Sequence, residues 1–365
     1  MFRLLLVVGA RPNFMKISPL IDEIETSGKK IQIMLIHTGQ HYDLKMSEVF
    51  FSDLKLRKPD KNLEVGKGTP AWQIGEIIKR VEPVMLNYNP DLVVVPGDVN
   101  STMACAIAAN KMNIPIAHLE AGLRSYDRTM PEEINRIITD QLSELLLIPS
   151  ADARNNLIKE NHNKNKIHFV GNAMIDSLTR LLPKAKVRIN DLRKKYSLKE
   201  NYIVVTLHRP SNVDNKEKFR NILRSLNKIS QKIDVLFPLH PRTKNNILRN
   251  NLNLKKDSIK YIEPLGYLDF IALENYSDLI ITDSGGIQEE STYLKIPCIT
   301  LRDNTERPIT ITSGSNQLLN IEKESLYEIV FKRIDEFSKK SIRIPKFWDG
   351  KTSKRIVEII EKKYL

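Results

Sequence analysis

The chain of 365 residues contains only two cysteines, Cys105 and Cys298, and each lies in an apolar segment. This scarcity favours reduced, buried packing residues over a disulfide or a metal site, and no C-x-x-C pair is present. Long apolar runs are also missing, since no segment approaches the roughly 20 residues of a membrane helix. The run 4–8 is too short for a signal peptide. We therefore expect a cytoplasmic protein without a bound metal, with residues 4–8 as its first buried strand.

Two common binding signatures are missing as well. The loop from Gly9 to Lys16 lacks the spaced glycines of a dinucleotide fingerprint, so NAD is not indicated. The formal net charge is +13, but the basic residues are spread along the whole chain without interleaved aromatic residues. This distribution argues against a nucleic-acid partner. A small anionic substrate fits the excess positive charge better.

What the sequence does contain is a regular alternation of short apolar runs and helix-period segments. The predicted strands are residues 4–8, 31–36, 92–95, 116–119, 145–148, 167–170, 203–207, 235–238, 259–262, 279–282, 298–301 and 317–319. Such alternation is typical of parallel sheets covered by helices on both faces. We predict an α/β protein with two Rossmann-like, doubly wound domains, residues 1–175 and 176–351, and a cleft between them. The last helix, residues 352–365, is expected to pack back on the first domain.

Residues 283–290 are the most informative stretch, because they follow a predicted strand and open a helix. Ser284 can serve as N-cap, and Gly285 and Gly286 let the backbone approach a ligand closely. The positive end of the helix dipole then suits a phosphate, although an ordinary strand-to-helix turn is the alternative. The next predicted strand delivers Arg307 to the same edge of the sheet, where open α/β sheets place their sites.

Carboxylates follow neighbouring predicted strands in the first half. Asp98 and Glu120 come after two strands, and Glu132 lies at the start of a helix. If all three meet, their crowding favours proton transfer near neutral pH. The alternatives are that Asp98 caps the following helix, that Glu120 pairs with Arg124, and that Glu132 forms a surface ion pair on its helix.

Histidines stand at matching strand ends in the second half. His208 and His240 each follow a predicted strand, which indicates ligand contacts rather than polar filler. For His37 and His41, turn chemistry and function are not separated by the sequence.

Together these motifs resemble the non-hydrolysing UDP-N-acetylglucosamine 2-epimerases, which have the two-domain GT-B fold. Six ordered motifs carry the resemblance over almost the whole chain: residues 9–12 with Lys16, 97–98, 118–124, 131–136, 208–209, and 283–290 with 302–308. The resemblance implies that C2 of the sugar in UDP-GlcNAc is inverted to give UDP-ManNAc. The reaction proceeds by elimination of UDP to 2-acetamidoglucal and re-addition. It also implies a cofactor-independent homodimer that serves polysaccharide biosynthesis.

The resemblance also implies roles for individual residues. Asp98, Glu120 and Glu132 would be the acid/base carboxylates, and His208 would assist near the diphosphate. Arg11, Lys16 and Arg136 would offset phosphate charge, while Ser284, Gly285 and Gly286 would hold the diphosphate. Glu290 would take the ribose hydroxyls, Phe270 the uridine, and Arg307 would also contact the ligand.

Departures from the family pattern leave the sugar substituents open. Asn13, Ser211 and Ile309 stand where acidic residues are common in the family, so an epimerase of UDP-2,3-diacetamido-2,3-dideoxy-glucuronate is an alternative. A hydrolysing epimerase, a GT-B glycosyltransferase and a nucleotide-sugar binder are others. Against the glycosyltransferase, the positions eight beyond Glu289 and Glu290 are not glutamates. Allosteric use of a second UDP-GlcNAc, at a region that includes Gln40 and His41, also stays open.

Overall fold

The computed structural model describes residues 1–39, 57–250, 259–337 and 342–365, so Gln40 and His41 lie outside the described residues. The chain divides into an N-terminal unit, Met1–Arg180 with Lys346–Leu365, and a C-terminal unit, Leu181–Pro345. Both boundaries lie a few residues from the predicted ones. Contacts inside the N-terminal unit explain the difference, because Arg180 Nη2 donates to Ser18 Oγ at 2.8 Å and Trp348 Nε1 donates to the Pro149 carbonyl at 3.0 Å.

A parallel sheet with strand order β3-β2-β1-β4-β5-β6-β7 forms the centre of the N-terminal unit. Its strands are β1 (Phe2–Val8), β2 (Ile31–His37), β3 (Lys61–Asn62), β4 (Leu92–Pro96), β5 (Ile116–Leu119), β6 (Leu145–Ile148) and β7 (Ile167–Phe169). Six of them coincide with predicted strands to within two residues. Strand β3 was missed, because two polar residues at a sheet edge carry no apolar pattern.

Helices cover this sheet. They are α1 (Arg11–Thr26), α2 (Pro70–Tyr88), α3 (Asn100–Lys111), α4 (Pro131–Leu142), α5 (Ala151–Lys159), the first part of α6 (Ala173–Lys186), and the C-terminal helix α15 (Thr352–Tyr364). The strands are buried on both faces, as β4 shows with every residue buried. This burial explains their continuous apolar runs, since both faces of a parallel sheet lie under helices.

The C-terminal unit repeats the arrangement with strand order β10-β9-β8-β11-β12-β13. Its strands are β8 (Tyr202–Thr206), β9 (Asp234–Pro238), β10 (Ile259–Ile262), β11 (Leu279–Thr282), β12 (Cys298–Thr300) and β13 (Asn316–Leu318). Its helices are α7 (Ile189–Lys195), α8 (Pro210–Val213), α9 (Lys216–Ile229), α10 (Pro241–Arg249), α11 (Tyr267–Asn275), α12 (Gly285–Leu294), α13 (Ile309–Thr312) and α14 (Leu326–Phe337).

The strand order of each sheet reverses direction at its first strand. In the N-terminal unit β1 lies between β2 and β4, and in the C-terminal unit β8 lies between β9 and β11. In doubly wound sheets ligands bind beyond the carboxyl ends of the strands at this switch point. The prediction of an α/β protein with two doubly wound, Rossmann-like sheets is confirmed. In the described parts of the chain, no helix has the length and apolarity needed to span a membrane.

Candidate active site

In the N-terminal unit, a buried ion pair lies where β5 ends. Glu120 directly follows β5 with 3% of its surface exposed, and Lys16 of α1 donates to its Oε2 at 2.5 Å. Its other oxygen, Oε1, has no hydrogen-bond partner among the described residues. Burying a carboxylate is costly unless its charge is compensated. Lys16 supplies that compensation and leaves Oε1 available to a ligand.

The backbone around this pair is unusual. Glu120 has φ +81° and Gly122 has φ +79°, so the chain makes a tight left-handed turn instead of continuing as a helix. A spacing of four residues therefore does not bring Glu120 and Arg124 together. Arg124 instead pairs with Asp140 at 2.7 Å and with Glu160 at 2.6 Å. The alternative in which Glu120 pairs with Arg124 is wrong.

Gly97 directly follows β4 and lies beside the ion pair of Lys16 and Glu120. It has φ +70°, and a Cβ there would lie 3.0 Å from Lys16 Nζ and 3.6 Å from Glu120 Oε2. A larger residue would therefore be strained and would crowd the Lys16 ammonium group. Glycine at this position allows the Asp98 turn to approach the ion pair closely.

Asp98 is held by helix α4. Its carboxylate pairs with Arg136, and its carbonyl oxygen accepts a hydrogen bond from Asn135 Nδ2 at 2.8 Å. Helix α3 has Val99 as its N-cap, so the alternative in which Asp98 caps that helix is wrong. With a side chain that is 27% exposed, Asp98 stays accessible while Arg136 fixes its direction.

At the start of α4, two adjacent glutamates differ in burial and in their partners. Glu132 is exposed and has no hydrogen bond or ion pair within the described residues, whereas Glu133 is buried and pairs with Arg136 at 2.6 Å. Burial alone would raise the pKa of Glu133, but the backbone amide of Ser125 and the Arg136 guanidinium hold it below its ordinary value. Within helix α4, Arg136 therefore pairs with Glu133 and not with Glu132. The catalytic role of Glu132 stays a prediction.

Sequence reasoning gave no role to Asn13, which the structure places beside the ion pair. Its Oδ1 accepts the amide of Ala10 at 2.9 Å, and its Nδ2 donates to the Pro96 carbonyl at 3.1 Å. Asn13 therefore joins the ends of β1 and β4. A glutamate could not make the second bond, because an ionised carboxylate has no donor. Arg11, the first residue of α1, is half-buried at the same end of that helix.

In the C-terminal unit, Asp283 organises the ends of β8 and β11. Its carboxylate is fully buried and accepts the backbone amides of His208 at 3.1 Å and Arg209 at 2.9 Å, and also the side-chain amide of Asn212 at 3.2 Å. These bonds start helix α8 and fix His208 at the strand end. Asp283 was predicted only as part of a motif, and its contacts with residues distant in sequence required the fold.

The two predicted histidines lie side by side. His208 and His240 have ring centroids 5.4 Å apart, and His208 Nδ1 lies 3.2 Å from Asp283 Oδ1. Loss of water contact lowers the pKa of His208, with Arg209 and Arg242 adding to the effect and Asp283 opposing it. Loss of water contact and the neighbouring His208 likewise lower the pKa of His240. Near neutral pH both rings favour the uncharged form, which can accept or donate a hydrogen bond.

Helix α12 begins at the Gly285-Gly286 pair, with Ser284 at the N-cap position. The Ser284 side chain makes no capping hydrogen bond, so it does not satisfy the first amides of the helix. A Cβ on Gly285 would lie 2.5 Å from Arg307 Nη1, which places the guanidinium over the first turn. Arg307 is itself ion-paired with Glu289 at 2.8 Å and with Glu306. The first amides, the helix dipole and a guanidinium thus lie together, an arrangement that can bind an anion.

Farther along α12, Glu290 is buried and its Oε1 accepts the hydroxyl of Tyr267 at 2.5 Å. Phe270 is half-buried on the same helix as Tyr267, α11. Glu274, also on α11, is fully buried, and neither of its carboxylate oxygens has a hydrogen-bond partner among the described residues. Burial, with the negative charge of Glu290, raises its pKa well above the ordinary value.

Within the described ranges, no group of three or more His, Cys, Asp or Glu side chains is placed to hold a metal ion. Both cysteines are buried with free thiols. Burial raises the pKa of Cys298 to about 12. These thiols therefore pack in the core and do not act as nucleophiles.

Comparison with known proteins identifies relatives over almost the whole chain. The family model described as UDP-N-acetylglucosamine 2-epimerase matches residues 23–361. A UDP-N-acetylglucosamine 2-epimerase of Methanocaldococcus jannaschii is 44% identical over 98% of both chains. A UDP-2,3-diacetamido-2,3-dideoxy-D-glucuronate 2-epimerase of Pseudomonas aeruginosa is 38% identical over 99% of both chains.

Solved structures show the same likeness. The crystal structure of the Methanocaldococcus jannaschii UDP-GlcNAc 2-epimerase in complex with UDP-GlcNAc and UDP has a TM-score of 0.89 and 42% identity, covering 99% of this chain and 100% of that one. The Neisseria meningitidis UDP-GlcNAc 2-epimerase bound to UDP-GlcNAc also has a TM-score of 0.89, with 32% identity and the same coverage. The chain therefore belongs to the UDP-N-acetylglucosamine 2-epimerase family.

Proposed function

We propose that this protein interconverts UDP-GlcNAc and UDP-ManNAc by inverting C2 of the sugar, without hydrolysing the nucleotide. The observation that carries the proposal is the Glu120 carboxylate, buried with one oxygen unbonded and the other paired with Lys16. Inversion at C2 requires a group that removes a proton and a group that returns it. A buried, charge-compensated carboxylate with a free oxygen suits that task.

The reaction we propose breaks two bonds in its first half. A carboxylate takes the C2 proton, the C2–H electrons form the C1=C2 double bond, and UDP leaves with the electrons of the C1–O bond. The second half returns a proton to the opposite face of C2, and UDP adds back to C1. Asp98, Glu120 and Glu132 are the proposed acid/base groups, with Arg136 fixing Asp98.

The leaving group is a diphosphate anion, and the C-terminal unit offers a site suited to it. The Ser284 amide already donates to Thr282 Oγ1 at 3.0 Å. We therefore propose that this turn holds the diphosphate through the amides of Gly285 and Gly286, and that Arg307 offsets its charge. A preorganised cation and helix N-terminus stabilise the charge that develops as the C1–O bond breaks. His208 and His240 are proposed to contact the ligand beside this turn. Glu290 is proposed to bind the ribose, and Phe270 the uracil ring.

Proton NMR of the protein with UDP-GlcNAc in D₂O tests the proposal directly. We expect the anomeric signal of UDP-ManNAc to grow while deuterium enters C2. The matched control is Glu120→Gln, which removes the acid/base group and leaves the C-terminal unit unchanged. It should lower the rate at least about 100-fold while retaining UDP binding by calorimetry.

The other outcomes of that experiment are distinct. Accumulation of free UDP and ManNAc would show a hydrolysing enzyme. No change in the spectrum, with UDP-GlcNAc and with the diacetamido uronic acid nucleotide alike, would contradict the proposal of an epimerase.

A second candidate substrate is UDP-2,3-diacetamido-2,3-dideoxy-D-glucuronate. The observation that favours it is the extent of the match to the Pseudomonas aeruginosa 2-epimerase of that name, at 38% identity over 99% of both chains. The same chemistry at C2 would apply, because both sugars carry an acetamido group there. A kcat/KM higher for the uronic acid nucleotide than for UDP-GlcNAc would establish this candidate.

A further inference from the structure

A buried group outside the proposed acid/base residues connects the two turns that carry them. His118 lies on β5 and is fully buried, as is Asp140 in the last turn of α4. His118 Nδ1 lies 2.6 Å from Asp140 Oδ1, and His118 Nε2 lies 2.8 Å from the carbonyl oxygen of Gly97. Because a carbonyl oxygen only accepts hydrogen bonds, Nε2 must carry a proton and donate it. The ring thus holds the turn before Asp98 by its hydrogen bond to the Gly97 carbonyl.

Asp140 holds the second turn, which contains Glu120 and Gly122. Its Oδ2 accepts the backbone amide of Gly122 at 3.1 Å and pairs with Arg124 Nη2 at 2.7 Å. Burial alone would raise the pKa of Asp140, but the facing His118 and Arg124 hold it below its ordinary value, so the carboxylate stays charged. Arg124 Nη1 also donates to the Leu123 carbonyl at 2.8 Å, which ties the same loop once more.

Both turns need such support. Gly97 has φ +70°, and Glu120 adopts φ +81°, a conformation that residues with side chains rarely take. Residues held in such regions persist when surrounding contacts determine them, and they cluster at functional sites. Apart from the pairing of β4 with β5, the Gly97 amide donates a hydrogen bond to the Leu119 carbonyl at 2.9 Å, and this bond also links the two turns. It holds the backbone at a single point.

We propose that His118, with Asp140 and Arg124 behind it, is a positioning residue that fixes the Asp98 turn and the Glu120 turn relative to each other. These three residues, the buried clamp, are not among the proposed acid/base or nucleotide-binding groups. They set the distance between the two proposed acid/base carboxylates through Gly97 on one side and Gly122 on the other. The catalytic consequence rests on the proposed function, whereas the mechanical consequence does not.

Two substitutions at one position separate the two contacts of the ring. The amide nitrogen of asparagine occupies the place of His Nδ1, so His118→Asn keeps a donor for Asp140 and loses the Gly97 contact. The amide nitrogen of glutamine lies near the place of Nε2, so His118→Gln keeps a donor for Gly97. Val94→Ala, a buried change on the neighbouring strand β4, is the control for general loss of stability.

We expect His118→Asn to lower kcat about 10- to 100-fold, since a small misplacement of catalytic groups has effects of that size. KM should stay within about twofold, because most of the proposed nucleotide contacts, including those to the ribose and the uracil ring, lie in the C-terminal unit. His118→Gln keeps the contact with Gly97 and loses the one with Asp140, so it should recover part of the rate. Val94→Ala, assayed well below its melting temperature, should keep the wild-type kcat. An equal loss of kcat in Val94→Ala, or an unchanged kcat in His118→Asn, would overturn the proposal.

Hydrogen exchange read by mass spectrometry gives a second measurement that needs no activity. We expect His118→Asn to increase exchange in residues 96–102, and Asp140→Asn to increase it in residues 119–124, each more than in the rest of the unit. Uniform or unchanged exchange would reject the positioning role. If the wild-type protein failed to epimerise either nucleotide sugar, the proposed function would fall, while these exchange patterns would still decide whether the buried clamp holds the turns.

Discussion

At the scale of single residues, two buried glutamates show how partners decide chemistry. Glu120 faces Lys16 at 2.5 Å, whereas Glu274 has no hydrogen-bond partner among the described residues and stands near Glu290. Burial and the negative charge of Glu290 raise the pKa of Glu274, so this carboxyl favours its protonated form. The same residue type therefore faces a cation at one site and another carboxyl group at the other.

Glu274→Gln is predicted to stabilise the protein at alkaline pH. In the unfolded chain a glutamate loses its proton near pH 4.3, whereas burial and Glu290 raise the pKa of Glu274 in the folded protein. Folding stability from this group is thus full below the unfolded pKa and is lost as pH rises toward the folded pKa. Gln has no such loss, so we expect a gain of about 1–3 kcal/mol at pH 8 and almost none at pH 4.

Thermal unfolding at the two pH values measures this difference. Glu324→Gln, the same change at an exposed position of the C-terminal unit, is the control and should leave the pH dependence as in the wild type. Equal pH dependence of wild type and Glu274→Gln would show that Glu274 is already ionised in the folded protein.

At the scale of elements, the start of helix α12 depends on the absence of a side chain at Gly285. A Cβ on Gly285 would meet Arg307 Nη1 at 2.5 Å and Glu306 Oε1 at 2.8 Å. Both atoms are the ends of flexible side chains, so the fold can adapt by moving them. Arg307 would then leave the place over the first helical turn where it can meet an anion.

Gly285→Ala is therefore predicted to weaken UDP binding about tenfold, equivalent to 1.4 kcal/mol, with little change in melting temperature. Isothermal titration with UDP measures the first quantity and thermal unfolding the second. Gly75→Ala in helix α2 is the matched control, because a Cβ there meets no described atom within 4 Å. Wild-type affinity in Gly285→Ala would show that Arg307 does not contact the diphosphate.

At the scale of the whole molecule, the N-terminal unit is built from two distant parts of the chain. The C-terminal helix α15 begins where Asp176 accepts the backbone amides of Thr352 at 3.0 Å and Ser353 at 2.7 Å. An external carboxylate thus does the work of an N-cap, since the first amides of a helix have no partner within it. The side chain of Lys351, the N-cap residue, makes no capping bond.

Asp176→Ala is predicted to destabilise the N-terminal unit by about 1–2 kcal/mol, as the loss of a helix cap does. Trp72 and Trp348, the two tryptophans of the chain, both lie in this unit, so urea unfolding followed by tryptophan fluorescence reports on it alone. Asp191→Ala, an exposed acid in the other unit, is the control. Unchanged unfolding in Asp176→Ala would show that the amides find water instead.

Much of the fold was accessible from the sequence, because parallel strands buried on both faces leave apolar runs such as 92–95 and 279–282. The side chains that follow those runs were accessible too, and Asp98, Glu120 and Ser284 do lie at strand ends. Their partners were not. The pairing of Glu120 with Lys16, and of Asp98 with Arg136, joins residues far apart in the chain. The catalytic and binding roles given to these residues remain predictions.

By itself, the sequence determined the α/β class, the order of all strands except β3, and the family, because periodicity and ordered motifs are local properties. The tertiary structure decided which charges meet. Spacing of four residues left a pair of Glu120 with Arg124 as an alternative, but the left-handed turn at Glu120 and Gly122 places Arg124 against Asp140 and Glu160. Coulombic and hydrogen-bond energies depend on distance in space, and a sequence gives that distance only where the backbone between two residues is regular.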